Sequence, residues 1–322
     1  MKRRRLLPAL AAAALPLHGL HAQRRPRVGI LGTTAPNPGS HLLRSLVDGL
    51  REQGWVDGQT VSLEFRWAGG RLETLPALAA ELAALPVDVI VTSNNIVTAA
   101  AKSATPTIPI VMVLGVDPVR AGFIDSFARP GRNITGLTSE PGQHVFGKML
   151  ELLREAVPSV ERVGVLVQQG IGHDRTALAE AAERLRLRLQ QSPPVREQAD
   201  IDRAFEAMRR DAAQAYLCIG GSVIHTAREQ VAAAALRQRL PGVHFSADYV
   251  RAGGLLSYGT DLVAQFRRAA WYVARILAGA NPAEMPVEQP ARFELALNLR
   301  TARALGLAPP QSLLLQATEV VE

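Results

Sequence analysis

Short apolar runs separated by helical periodicity recur along this chain at near-constant spacing, and that rhythm points to a parallel α/β sheet. Arg27-Val28-Gly29-Ile30-Leu31 is an apolar run closed by Gly32, Thr33 and Thr34, and it reads as a buried parallel strand. Ser40 is placed to cap a helix in which Leu42, Leu43, Leu46, Val47 and Leu50 mark one face, and Gly54 ends it. Residues 61–67 alternate as a second strand, and residues 75–85 form a helix opened at Pro76. Strands at 87–91 and 110–114 flank a helix at 97–104. The last of these strands ends in Gly115-Val116-Asp117-Pro118, a turn expected to open a short helix.

The pattern then restarts. Helices are expected at 146–156, 175–185, 201–210 and 223–239, with strands at 163–167, 187–191, 215–219 and 243–245. A further strand (253–259), a helix (266–277) and a last strand (292–297) follow two already complete halves. A simple tandem would not need that tail, whereas a chain crossing between two lobes three times would. The expected division is residues 23–139 and 250–285 in lobe one, and 140–249 and 286–322 in lobe two. The fold class is therefore α/β, with two doubly wound parallel-sheet lobes joined by a three-strand hinge and a ligand cleft between them.

The amino-terminal 22 residues read as a secretory signal. Lys2, Arg3, Arg4 and Arg5 form the positive region, residues 6–17 the apolar one, and Ala22 or Gly19 precedes cleavage. The apolar run is short and broken by Pro8 and Pro16, which argues against a membrane span. Without those four cations the formal charge falls from +7 to about +3, so the basic balance does not point to nucleic acid. The single cysteine, Cys218, excludes an internal disulfide, lies in an apolar run, and is read as a core thiol; no cysteine marks a lipid anchor. The seven histidines show no metal-binding spacing, and neither a nucleophile elbow nor a dinucleotide or phosphate loop is present. His173-Asp174 and Ser222 with His225 are the residues a hydrolase reading would need. No catalytic residue, metal or cofactor is expected.

Several blocks occur in a characteristic order. They are Gly54-Trp55-Val56-Asp57-Gly58, Glu64-Phe65-Arg66-Trp67-Ala68, and Leu75-Pro76-Ala77-Leu78-Ala79-Ala80-Glu81-Leu82. Ala128-Arg129-Pro130-Gly131-Arg132-Asn133-Ile134-Thr135-Gly136 and Ala252-Gly253-Gly254-Leu255-Leu256-Ser257-Tyr258-Gly259 follow. Across about residues 27–310 the chain resembles the ABC transporter substrate-binding proteins related to the tryptophan- and tyrosine-binding ones. The resemblance implies a periplasmic binding protein of type 1 fold, a small-molecule solute and a partner permease in the inner membrane. The export signal without a lipid-anchor cysteine points to a free periplasmic protein, expected as a monomer. Asn94-Asn95 departs from the small, glycine-rich turn usual in that family.

In such a layout the ligand meets the carboxyl ends of strands from both lobes. Thr33, Thr34, Ser93, Asn94 and Asp117 stand at those ends in lobe one, and Gln168, Ser222, Asp248 and Tyr249 in lobe two, with Tyr258 at the crossing. Hydroxyls, amides and helix-start N–H groups suit a carboxylate. Asp117 or Asp248 would pair with an ammonium group, and Tyr249 or Tyr258 would stack on a flat ligand. Thr33, Ser93 and Ser222 are equally suited to capping helices, and Trp67 reads as core or surface. The expected function is an importer subunit for an amino acid or related carboxylate. The alternatives are a ligand sensor for a membrane receptor, a secreted α/β hydrolase, and a two-lobed transcription regulator, the last opposed by the export signal.

Overall fold

The computed structural model describes residues 24–34, 40–139, 144–171, 175–290 and 292–322. The signal read in residues 1–22 and the pair His173-Asp174 lie outside the described residues.

The first lobe is a five-stranded parallel sheet of order β2-β1-β3-β4-β5. Its strands are β1 (Arg27–Gly32), β2 (Ser62–Trp67), β3 (Val89–Thr92), β4 (Ile110–Gly115) and β5 (Ile134–Thr138). The two-residue side-chain period divides each strand between two cores. Val28, Ile30, Val91, Val111 and Val113 pack beneath α1 (His41–Glu52) and α10 (Leu262–Leu277). Leu31, Ile90, Ile110 and Met112 pack beneath α2 (Leu75–Ala84) and α3 (Asn95–Ala104). Each fully buried aliphatic side chain there contributes about 1.5–3 kcal/mol relative to exposure.

The second lobe is a seven-stranded sheet, β12-β11-β10-β9-β8-β6-β7. It contains β6 (Arg162–Val167), β7 (Arg188–Gln191), β8 (Ala215–Gly220), β9 (Gly242–His244), β10 (Leu256–Thr260), β11 (Phe293–Asn298) and β12 (Glu319–Val321). Among the described strands of this sheet, β10 and β11 alone pair antiparallel. Helices α4 (His144–Ala156) and α5 (Arg175–Arg184) pack on one face, and α6 (Asp200–Arg210) and α8 (Arg228–Arg237) on the other. Short helices α7 (Ser222–Thr226) and α9 (Ala247–Arg251) follow β8 and β9, and α11 (Leu299–Leu305) and α12 (Gln311–Gln316) fill the tail.

The two-lobed class is as the sequence predicts, with specific differences. Leu256–Thr260 stays in the second sheet between β9 and β11, so the chain crosses back to lobe one after Thr260 rather than near residue 250. The segment read as one helix over 223–239 breaks at Ala227 into α7 and α8. No helix follows Asp117; the chain makes tight turns, with Ala121 N donating to Asp117 O at 2.9 Å and Phe123 N to Pro118 O at 2.8 Å.

The last crossing is pinned against lobe one. Glu288 N donates to Gly136 O at 3.0 Å, and Thr138 N donates to Glu288 O at 2.9 Å, extending the edge of β5. Arg268 on α10 grips the Glu288 carboxylate through both oxygens at 2.9 and 2.6 Å, holding that carboxyl below its usual range. The Arg268 guanidinium also lies 4.0 Å over the Trp271 ring, which fixes Trp271 in helix packing.

Candidate functional site

A cavity of about 600 Å³ lies between the lobes, at the carboxyl ends of β1, β3, β4, β8 and β10. Lobe one supplies residues 30–34, the start of α1, Trp67, Ser93, Asn94 and the first turns of α10. Lobe two supplies the start of α4, Ile219, residues around α7, Phe245 and residues 258–260. The walls are mostly apolar and rich in aromatic rings: Trp67 and Phe266 on one side, Phe146, Phe245 and Tyr258 on the other. Hydroxyls from Thr33, Thr34, Ser40, Ser139 and Ser222 interrupt them. Besides the Tyr258 phenol, the ionisable groups among the described lining residues are His41, His225 and Arg228.

Trp67 reaches this wall because of Gly32. The two are register partners at the ends of β2 and β1, and a Cβ on Gly32 would come within 2.2 Å of the indole. Phe65, two residues back on the same strand face, stacks on Trp67 with centroids 6.0 Å apart and planes 9° apart. In sequence the glycine reads as a strand terminator; its role as the seat of a ring follows only from the register.

Six of the ten residues singled out from sequence line the cavity: Thr33, Thr34, Ser93, Asn94, Ser222 and Tyr258. None of Thr33, Ser93 and Ser222 caps a described helix. Ser40 caps α1, accepting from Leu43 N at 3.4 Å. Asn94 caps α3, its Oδ1 accepting from Ile96 N at 3.0 Å and Val97 N at 3.2 Å. Gly221 stands at the cap position of α7. Tyr258 presents its ring to the cavity while stacking on Phe293 at 5.3 Å.

The other four sit elsewhere. Asp117 is exposed in its turn, with a left-handed φ of 42° and its Oδ1 accepting from Arg120 N at 3.3 Å. Gln168 is buried behind α7, where Oε1 accepts from Val223 N at 2.8 Å. Tyr249 is fully buried and stacks on His244, centroids 4.8 Å apart, with its hydroxyl beside the Cys218 thiol. Burial pushes that thiol up to about 12, which leaves it an inert core group, as the sequence suggests.

Asp248 lies behind the cavity wall on α9, with its side chain only 8% exposed. Its Oδ2 accepts from His41 Nε2 at 3.0 Å, a bond that runs from α1 of lobe one to α9 of lobe two. Its Oδ1 accepts from Arg251 Nη1 at 3.1 Å, and His225 Nε2 stands 3.5 Å away. Burial holds the His225 imidazole below its ordinary value despite the pull of this carboxylate, and Arg228 and His41 add to the lowering. Sequence reasoning named Asp248 as an ammonium partner. The fold instead surrounds it with three cationic or imidazole groups, two of which also line the cavity. His41 and Arg228 were missed because nothing in their local sequence marks them.

Residues 38–321 match the family described as ABC transporter substrate binding protein, and the chain belongs to that family. A tyrosine-binding protein of Clostridioides difficile (strain R20291) is 21% identical over 267 residues, covering 82% of this chain and 76% of that one. A conserved domain protein from Vibrio cholerae superposes with a TM-score of 0.84 at 26% identity, covering 92% of this chain and 100% of its own. An ABC domain from Streptococcus pneumonia, solved in complex with L-Trp, gives a TM-score of 0.83 at 23% identity over the same shares. These likenesses place the fold among the type 1 periplasmic binding proteins. Among the described residues no helix is long and apolar enough to cross a membrane.

Proposed function

We propose that this chain is the extracytoplasmic solute-binding subunit of an ABC importer, and that it carries an amino acid or related carboxylate with an aromatic or branched body. The solute closes between the lobes and is handed to an inner-membrane permease chemically unchanged. The observation that carries the reading is the interlobe cavity of about 600 Å³ with aromatic walls contributed by both lobes. A space of that size surrounds a small organic molecule, and rings on both sides bury its apolar body. Relatives named for tyrosine binding and solved with L-Trp support the aromatic class.

The test is a thermal-shift series on the purified chain with amino acids, simple carboxylates and sugars. At a ligand concentration of about 100 times Kd the gain is roughly 2.7 kcal/mol, which raises the melting temperature by several degrees. A rise confined to aromatic or branched amino acids and their close analogues, with the compound recovered intact after denaturation, is expected. Flat melting curves across all such compounds would sink the reading.

The bond from His41 to Asp248 spans the cleft and so belongs to the closed arrangement. His41 is 37% exposed on its side chain, so the bond is worth about 1 kcal/mol. His41→Ala is expected to speed solute release about fivefold while leaving the unfolding midpoint of the unliganded protein nearly unchanged. Stopped-flow release rates on the variant and the parent check this. An unchanged rate would remove His41 from closure.

A further inference from the structure

Arg228 opens α8 immediately after the break at Ala227; the residue is half-buried and lines the cavity. Its one hydrogen bond among the described residues is long: Nη1 donates to His225 O at 3.3 Å. It forms no ion pair with any described residue. The other charged or imidazole groups nearby are committed. Asp248 takes His41 and Arg251, and Arg251 turns its remaining nitrogens to both oxygens of Glu319 at 2.9 and 2.6 Å. A guanidinium offers five N–H donors in a planar fork, so most of the Arg228 donors are unused. A half-buried cation at the wall of a mostly apolar cavity is a ready partner for an anion bound there.

The neighbours of Arg228 suit that anion. Ser222 and Thr226 lie one helical turn apart on α7 and both line the cavity, with His225 between them in sequence. Together they make a polar corner of lobe two, while Leu46, Trp67 and Phe266 of lobe one offer apolar surface. Asp117 and Asp248, the carboxylates best placed in sequence to meet an ammonium group, sit in an exposed turn and behind the wall.

Resting on the importer reading above, we infer that the solute is recognised through its carboxylate, which Arg228 receives as a two-pronged ion pair with Ser222 and Thr226 beside it. The carboxylate, not the amine, is the group the site requires, and Arg228 sets that requirement. Arginine is the side chain whose geometry matches a carboxylate at both oxygens.

Calorimetric titration of the whole protein with three matched sets tests this. Each set holds phenylalanine, tyrosine or tryptophan with its deaminated acid and its decarboxylated amine. The expected result is binding of acids and amines that differ from each other by at least about 50-fold, in favour of the acids. Arg228→Met is expected to weaken the acids by about 30-fold and the amines hardly at all, whereas Arg228→Lys keeps part of the acid affinity. Melting curves confirm that the variants fold; should Arg228→Met fail, Arg228→Gln replaces it. Amines that bind as tightly as their parent amino acids, or acids that bind a folded Arg228→Met protein unchanged, overturn the inference and leave the importer reading standing. Failure of all nine compounds, and of leucine, isoleucine and valine, to bind the parent protein overturns both.

Discussion

Gly259→Ala is expected to cost this protein more than about 3 kcal/mol and to lower its melting temperature by at least roughly 6 °C, or to leave it insoluble. Gly259 lies in β10, and a Cβ built on it would stand 1.7 Å from Phe245 O and 2.6 Å from Phe245 C. Both are backbone atoms, so no side-chain rotation relieves the contact. Phe245 directly follows β9, which pairs with β10 through Leu256↔Val243 and Ser257↔His244. Room for one methyl group therefore requires two neighbouring strands to part in the middle of the seven-stranded sheet. The damage would reach the cavity, because Gly259 and Phe245 both line it. Gly279→Ala is the control. Gly279 follows α10 with φ +95° and nothing within 4 Å of its Cβ position, so alanine there meets only the left-handed backbone penalty of about 1–2 kcal/mol. Equal melting temperatures for the two variants would show that the close approach of Gly259 to Phe245 is not what holds these strands.

The helices and strands were legible wherever burial on both sheet faces turned the sequence into unbroken apolar runs, as in Val28 to Leu31 and Ile110 to Val113. Ser40 was legible as a cap because a short polar residue before an amphipathic face has one common use. Periodicity does not encode which sheet a strand joins. Leu256–Thr260 reads the same whether it pairs in lobe one or lobe two, and only its register with β9 and β11 decides. The short tail elements, α12 and the three-residue β12, carry too few residues for a pattern to emerge. The break at Ala227 has no glycine or proline to announce it.

For the site, strand ends were the right place to look, and the hydroxyl residues there do face the cavity. What sequence position cannot show is direction. Asp248 follows a lobe-two strand yet turns its carboxylate toward His41, His225 and Arg251. Trp67 ends an edge strand and swings over Gly32 into the cleft.

Acid is expected to destabilise the fold through His244, from about pH 6.5 downward. This ring is fully buried between Tyr216 and Tyr249. Its Nδ1–H donates to Leu256 O at 2.9 Å, and Nε2 accepts from the Tyr216 hydroxyl at 2.6 Å, so the neutral ring has both nitrogens satisfied. Burial lowers its value from 6.5 to about 4. Between those values the unfolded chain binds the proton and the folded chain does not, so stability rises with pH across the window. The His244 contribution is therefore complete above pH 6.5 and falls away as the pH drops toward 4, by roughly 3 kcal/mol in all. His225, also lowered by burial, acts in the same direction. Denaturant unfolding at a series of pH values from 7.5 to 4.5 measures the slope directly. His244→Gln loses ring packing and is expected to be less stable at neutral pH, yet its stability declines with acid by up to one proton less than the parent. A parent protein equally stable at both ends of that range would mean that unfolding takes up no net proton there, and a variant with the parent's slope would place the uptake in another group. The direction also bears on the site, because β10 takes its place through the Leu256 carbonyl that His244 holds. Loosening that ring would free the strand that ends in Tyr258, Gly259 and Thr260 at the cavity wall.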